Sequence, residues 1–396
     1  MRLIHTADWH LGRLFHNVHL THDQEHVLQQ FVALVAEVKP AAVLIAGDLY
    51  DRAVPPTEAV ELLDHVLEEI VNGCGVPVVA IAGNHDSAVR LGFAATLLRE
   101  RGLHLVGELP QAPSPIVLHD EHGPVHVHPL PYADAAEARY AYRDEAIHDQ
   151  QGVAAAGVAR ALAATPAGER RVAVAHAFVA GALESESERP LSVGGATQVP
   201  AAVYEGFDYV ALGHLHRPQR CGSDTIRYAG SLLKYSFAEH DHDKSVSVVD
   251  IGAPGSADGD AGAAGRARVT VETVALTPRR DVRRLEGTLA ELLAGSARDP
   301  RCDDYVLAAL LDRGALLDPI GRLRSAYPNA LAIERPLYEM TGAAGSRRPR
   351  PGSVGDLELF DTFFAYATGE GLDEKQRFEL AALIDRLERR RREAPA

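Results

Sequence analysis

Ala42-Val43-Leu44-Ile45-Ala46-Gly47-Asp48 and Val76-Pro77-Val78-Val79-Ala80-Ile81-Ala82-Gly83-Asn84-His85-Asp86 carry the reading of the fold. Each is a short, continuous apolar run that halts at a glycine and then presents polar side chains. Continuous apolarity, without alternation, marks a strand covered on both faces, as in a parallel sheet. Helical spacing fills the gaps: Val27, Phe31, Leu34 and Val38 precede Pro40, and Val60, Leu63, Leu67 and Ile70 precede Gly73. Outward from this centre the pattern recurs. Leu3-Ile4-His5-Thr6 runs into Ala7-Asp8, residues 171–175 run into His176, and Tyr209-Val210-Ala211-Leu212 runs into Gly213-His214-Leu215-His216. Strands alternating with helices predict a layered α/β domain. Five strands delivering polar residues at their carboxyl ends place the site there, where open α/β sheets bind ligands.

The chain has 396 residues, enough at about 100–200 per domain for two or three domains with a sizeable core. Lys and Arg number 40 against 55 Asp and Glu, a net charge of −15, which excludes a free-standing electrostatic DNA binder. Hydrophobic residues are 46% and charged residues 24%, which argues against disorder. No apolar run approaches the about 18 residues of a membrane span. The start, Met1-Arg2-Leu3-Ile4-His5, lacks a signal-peptide core, so a cytoplasmic protein is expected. Cys74, Cys221 and Cys302 are far apart and form no CxxC pair, which speaks against a disulfide framework or thiolate zinc. Histidine is abundant, at 19 residues, several beside Asp, Asn or Gly.

Five clusters stand at strand ends: Asp8-Trp9-His10, Gly47-Asp48, Gly83-Asn84-His85-Asp86, His176 and Gly213-His214-Leu215-His216. Alone, each has a bland reading: a turn Asp, a helix cap, a core histidine. Together they offer carboxylate, amide and imidazole donors without thiolate, the set expected of a hydrolytic di-metal centre with Mn²⁺, Fe or Zn. Two cations about 3.5–4 Å apart can activate water and stabilise both the attacking and the leaving oxygen at phosphorus.

Downstream, 245–251 reads as another strand and 252–265 as low-complexity loop. A second α/β segment, with strands at 305–311 and 331–333, spans about 278–338. Residues 342–355 hold Arg347, Arg348 and Arg350 among Gly, Pro and Ser and read as a flexible basic linker. A helical tail follows, with Leu357, Phe360, Phe364, Leu380, Leu383, Ile384 and Leu387 as its apolar stripe and an arginine run from Arg389 to Arg392.

The series Asp-x-His, Gly-Asp, Gly-Asn-His-Asp, His, Gly-His-x-His resembles that of the calcineurin-like metallophosphoesterases. More narrowly, MRLIHTADWHLGR, AGDLYDRAVPP, AGNHDSAVRLGF, VALGHLHRPQR and YAGSLLKYSF are similar to the nuclease subunits of bacterial SbcCD-type exonucleases. The resemblance implies a four-layer α/β sandwich over 1–277, a small α/β capping domain over 278–340, a linker over 341–355 and a partner-binding helical segment over 356–393. It implies two divalent metal ions, most readily Mn²⁺. Asp8, His10 and His216 would hold one, Asn84, His176 and His214 the other, and Asp48 would bridge them. His85 would donate a proton to the leaving 3′ oxygen, with Asp86 orienting its ring. Where some relatives carry a further histidine after Gly-Asp, this chain has Asp51-Arg52, and no role transfers to that position. The implied partners are an SbcC-type coiled-coil ATPase that receives the tail helices, DNA, and a second copy of the chain within a heterotetramer. The expected activity is exonuclease and endonuclease cleavage of DNA in repair, replication and recombination. Two rivals are a small-molecule phosphodiesterase or phosphatase of the same superfamily, which needs neither cap nor apolar tail, and a scaffold that has lost catalysis.

Overall fold

The computed structural model describes residues 1–110, 114–188, 198–255, 266–337 and 356–393, which divide into two units, 1–281 and 282–396. Unit one begins with β1 (Arg2–Thr6), α1 (Thr21–Val38), β2 (Ala42–Ile45), α2 (Thr57–Glu68), β3 (Val78–Ile81) and β4 (Leu103–Val106). It continues with β5 (Ile116–Asp120), β6 (Gly123–Leu130), α3 (Gln150–Ala163), β7 (Arg170–His176), β8 (Tyr209–Gly213), β9 (Gln219–Cys221) and β10 (Ser223–Tyr228). The strands β11 (Ser245–Ile251) and β12 (Val269–Ala275) complete it.

These strands make two sheets, ordered β12-β11-β1-β2-β3-β4 and β9-β10-β8-β7-β6-β5. The centre of the first is parallel, with Ile4 opposite Val43 and Leu44 opposite Val79. The centre of the second is also parallel, Val210 pairing with Ala173 and Ile226. Alternate residues of each strand share a face. Leu3, Leu44, Val79 and Ile81 from one sheet therefore meet Val127, Val172, Val174 and Ala211 from the other in a single apolar layer. The opposite face of the second sheet, through Ala173, Ala175, Val210 and Leu212, packs on Val158 and Ala161 of α3. On the first sheet Val43, Ile45, Val78 and Ala80 are equally buried, and α1 and α2 carry the buried apolar stripes of the fourth layer. The four-layer α/β sandwich expected from the sequence is the architecture observed.

The helix faces differ in detail from the sequence reading. In α2 the buried stripe is Ala59, Leu62, Leu63, Val66 and Leu67, while Val60 is 43% exposed. In α1 Val35 is buried, and Leu34 and Val38 are only half-buried. Both amphipathic patterns tolerate a rotation of one residue, and only packing against the sheet chooses the face.

Unit two contains β13 (Val282–Gly287), α4 (Leu289–Ser296), β14 (Tyr305–Leu310), α5 (Pro319–Arg324), β15 (Ala330–Glu334), α6 (Asp356–Thr368) and α7 (Glu374–Glu393). Its strands form a parallel sheet, β13-β14-β15. Its core is Leu289, Val306, Ala308, Leu310, Leu323, Tyr327 and Ala330, all from residues before 337. β13 escaped the sequence reading because Arg283, Arg284 and Glu286 interrupt its apolar residues; Arg283 pairs with Asp299 and Asp304 at 2.8 and 2.7 Å. The basic linker, most of the 252–265 loop, and the side chains of Leu387 and Arg389 to Arg392 lie outside the described residues.

Buried neutral histidines make the fold sensitive to acid. Burial pushes His5, which bonds Tyr209 and the Leu212 carbonyl, down to about 3, and pushes His128, bonded to Thr165, down to about 4. Both lie below the ordinary 6.5, so as pH falls the unfolded chain takes up protons first and stability declines. The urea midpoint should therefore drop between pH 7 and pH 5, and a His128→Gln variant should lose less over that interval.

Candidate metal centre

The two sheets bring their carboxyl ends to one edge, and every strand-end cluster converges there. Four of the residues concerned bend the backbone into the left-handed region: Asp8 at φ 52°, His10 at 45°, Asp48 at 51° and His214 at 107°. L-residues adopt such angles at a cost, and their clustering is a mark of functional geometry. Backbone bonds across the edge hold these bends. Asp8 N–H donates to the Gly47 carbonyl at 3.0 Å and His10 N–H to the Asp48 carbonyl at 2.9 Å. The buried Gln24 amide donates to the Trp9 and His10 carbonyls at 3.1 and 2.8 Å.

Asp48 sits at the centre. Its Oδ2 lies 3.6 Å from His10 Nε2 on one side and 3.5 Å from His176 Nε2 on the other, and its Oδ1 accepts the His85 N–H at 2.8 Å. Beside His10, its Nε2 faces His216 Nε2 at 3.1 Å. Beside His176, Asn84 Oδ1 is 2.8 Å from His176 Nε2 and 3.2 Å from His214 Nδ1. Asp8 accepts the His214 N–H on both oxygens, at 2.9 and 3.1 Å, and its carboxylate groups with the Asp48 carboxylate and the His176 imidazole. All seven residues singled out as metal-binding candidates in the sequence, and His85 with them, thus occupy one edge.

The donor set fits divalent cations. Burial lowers the pKa of His10, His214 and His216, and brings His176 to about 4, so all four rings are neutral with lone pairs to give. His176 donates Nδ1–H to the Ala46 carbonyl at 2.9 Å, which leaves Nε2 aimed at Asp48 and Asn84. Burial and the neighbouring Asp48 raise Asp8, a pair of carboxylates whose repulsion a cation would relieve. Oxygen and imidazole nitrogen without sulfur suit Mn²⁺, Fe or Zn.

One expectation is corrected. Asp86 does not orient His85; its carboxylate accepts the N–H groups of Leu49, Tyr50 and Gly83 at 3.1, 2.9 and 3.0 Å and so braces the two metal-site loops. The His85 ring instead donates Nδ1–H to the main-chain carbonyl of Asp51 at 2.7 Å. The Asp51 carboxylate takes Arg13 at 2.7 Å and faces His10 Nδ1 at 3.6 Å. Nothing in the spacing of Asp51 announces these contacts, since they depend on where the β2 loop turns.

Gly83 is required by contact: a Cβ there would stand 2.2 Å from Asp48 Oδ1 and 2.4 Å from the Asp48 backbone nitrogen. Gly83→Ala should displace the whole Asp48 turn, backbone included, while the sandwich core, which does not include Gly83, stays folded. Metal analysis after dialysis should find most of the bound divalent metal lost, while circular dichroism stays that of the parent.

Residues 1–218 match the calcineurin-like phosphoesterase family, and residues 278–368 match the type 5 capsule protein repressor C-terminal domain. The chain is 29% identical over 387 residues to the SbcCD nuclease subunit SbcD of Staphylococcus saprophyticus, covering 98% of each protein. Two crystal structures share features at low identity. A Thermus thermophilus protein matches at 14% identity and TM-score 0.37, over 62% of this chain and 92% of that one. A dimetal phosphatase from Danio rerio matches at 13% identity and TM-score 0.37, over 70% and 99%. With its first 218 residues matching throughout and its strand-end clusters gathered at one edge, the chain belongs to the calcineurin-like phosphoesterase family.

Proposed function

We propose that this chain is a metal-dependent DNA nuclease subunit that works with an SbcC-type coiled-coil ATPase in DNA repair, replication and recombination. The observation that carries the hydrolytic reading is Asp48 Oδ2, placed 3.6 and 3.5 Å from histidines on the two sheets. In this reading Asp8, His10 and His216 would hold one ion, Asn84, His176 and His214 would hold the other, Asp48 would serve both, and the ions would be Mn²⁺. Bound there, two such cations supply an acidified water and offset the negative charge that develops at phosphorus.

The chain's own residues do the rest. His85 is the proton donor. To donate, the ring carries a proton on each nitrogen: the Asp51 carbonyl holds Nδ1–H, the Nε2–H passes to the departing 3′ oxygen, and Asp48 anchors the backbone N–H. Arg13, fixed against Asp51 and lying over Tyr235, keeps a cationic group beside His10. The similarity to a nuclease subunit of SbcCD along 98% of the chain favours DNA over a small phosphoester. A linear duplex and a cyclic nucleotide, each with Mn²⁺ or EDTA, decide the substrate class. Mn²⁺-dependent cleavage of DNA alone is expected, and cleavage of the cyclic nucleotide alone would overturn the reading.

The tail supports an ATPase partner. Helices α6 and α7 pack on one another, yet Leu359, Phe360, Phe363, Phe378 and Leu383 stay 43–73% exposed. Leu359, Phe363 and Phe378 lie outside the stripe read from sequence, while Leu357, Phe364, Leu380 and Ile384 are half-buried. Unit one carries a second apolar patch, Val60, Val89, Phe93 and Leu97, which we assign to a second copy of the chain. The free cysteines fit a reducing cytoplasm.

The proposal separates two variants. Asp48→Ala should abolish cleavage and strip most metal, whereas His85→Ala should cost about 10²–10⁴-fold in rate with metal content unchanged. Metal loss in the second would make His85 a ligand. The tail gives another expectation. Among the described residues neither core includes one beyond 337, so a chain ending at 355 should fold and keep metal-dependent cleavage of single strands. It should fail to capture the ATPase in a pull-down, because it lacks side chains whose burial contributes about 1.5–3 kcal/mol each.

A further inference from the structure

Beneath the metal centre lies an ion pair that the reaction does not use directly. Glu239, at the end of the short turn Phe237–Glu239, is fully buried, and so, nearly, is Lys244 at the mouth of β11. The Lys244 ammonium donates to Glu239 Oε2 at 2.6 Å, to the main-chain carbonyl of His216 at 2.7 Å and to Ser231 Oγ at 2.8 Å, so its three protons are all placed. The other carboxylate oxygen, Oε1, faces His216 Nδ1 at 3.1 Å and accepts the Ser187 hydroxyl, whose oxygen is itself 2.8 Å from that nitrogen. The His216 N–H donates to Glu188 at 2.7 Å. Among the described residues, then, one buried cation and one buried carboxylate grip the same histidine from its backbone and from its ring.

Burying such a pair is costly, and replacing it with apolar side chains commonly stabilises a protein. A device kept at that cost calls for another use. A carboxylate on the far nitrogen of a metal-binding imidazole fixes its tautomer and direction and makes it a better ligand. Lys244 would in turn keep Glu239 ionised and anchor the Gly213-His214-Leu215-His216 turn by its carbonyl.

We propose that Glu239 and Lys244 are a positioning pair for His216, holding its proton on Nδ1 and its Nε2 toward His10 for a divalent ion. The inference rests on His216 being a ligand, and the experiment separates the two claims. Mn²⁺ binding to the full-length chain is followed by calorimetry for the parent, for His216→Ala and for the double variant Glu239→Gln/Lys244→Met, which removes both charges together and preserves shape. The double variant should fold and bind one of its two ions about 10–100-fold more weakly, leaving the other site near parental affinity. Parental affinity at both sites in a folded double variant overturns the positioning role alone. Parental affinity in His216→Ala overturns the ligand assignment, and the positioning role with it. Should the double variant not fold, imidazole ¹⁵N spectra of the metal-free parent decide the matter, with His216 assigned by its loss in His216→Gln. The Nδ1–H tautomer is expected, and an Nε2–H tautomer overturns the proposal.

Discussion

A single carboxylate holds the centre together. Asp48 leaves the first sheet on a left-handed turn, reaches histidines on both sheets with one oxygen, and anchors the His85 backbone with the other. It is buried, so its charge acts in a medium that screens poorly, and everything near it must answer that charge. The neighbouring rings are neutral acceptors, Gly83 has no side chain because none would fit, and Asp86, brought up to about 7 by burial and by Asp48, takes three backbone N–H groups.

The sandwich makes this possible by supplying rigidity. The metal-site loops leave strands buried on both faces, where interdigitated side chains leave no room for adjustment. Strained angles at Asp8, His10, Asp48 and His214 persist because the flanking strands and the Gln24, Asp86 and Lys244 braces over-determine them. Catalytic groups then need little reorganisation at the moment of reaction. The second unit builds its own small parallel sheet and core, and Leu359, Phe360, Phe363, Phe378 and Leu383 of its tail helices remain exposed.

Much of this was legible in the chain. Continuous apolar runs ending in Gly-Asp, Gly-Asn-His-Asp and Gly-His-x-His announce doubly covered strands and a polar edge, because a residue at the end of a buried strand has solvent or ligand as its only polar outlet. Asp8, His10, Asp48, Asn84, His85, His176, His214 and His216 could be named from that pattern. The face of α2 could not, since Val60 and Leu62 fit the helical period almost equally and only contact with the sheet favours Leu62. Nor could β13, where the charged Arg283, Arg284 and Glu286 leave too short an apolar run to mark a strand.

The sequence by itself determined the central strands, their order along the chain and the inventory of donors, because apolar periodicity and residue chemistry are local properties. The tertiary structure alone decided how each donor is aimed. Asp86, expected to orient the His85 ring, braces loops instead, and Asp51, given no role by the sequence, holds that ring through a main-chain oxygen. Glu239 and Lys244 reach His216 from 23 and 28 residues away. Such contacts follow from where turns place backbone carbonyls and from which long side chains cross a buried space, and no local pattern encodes a separation in space.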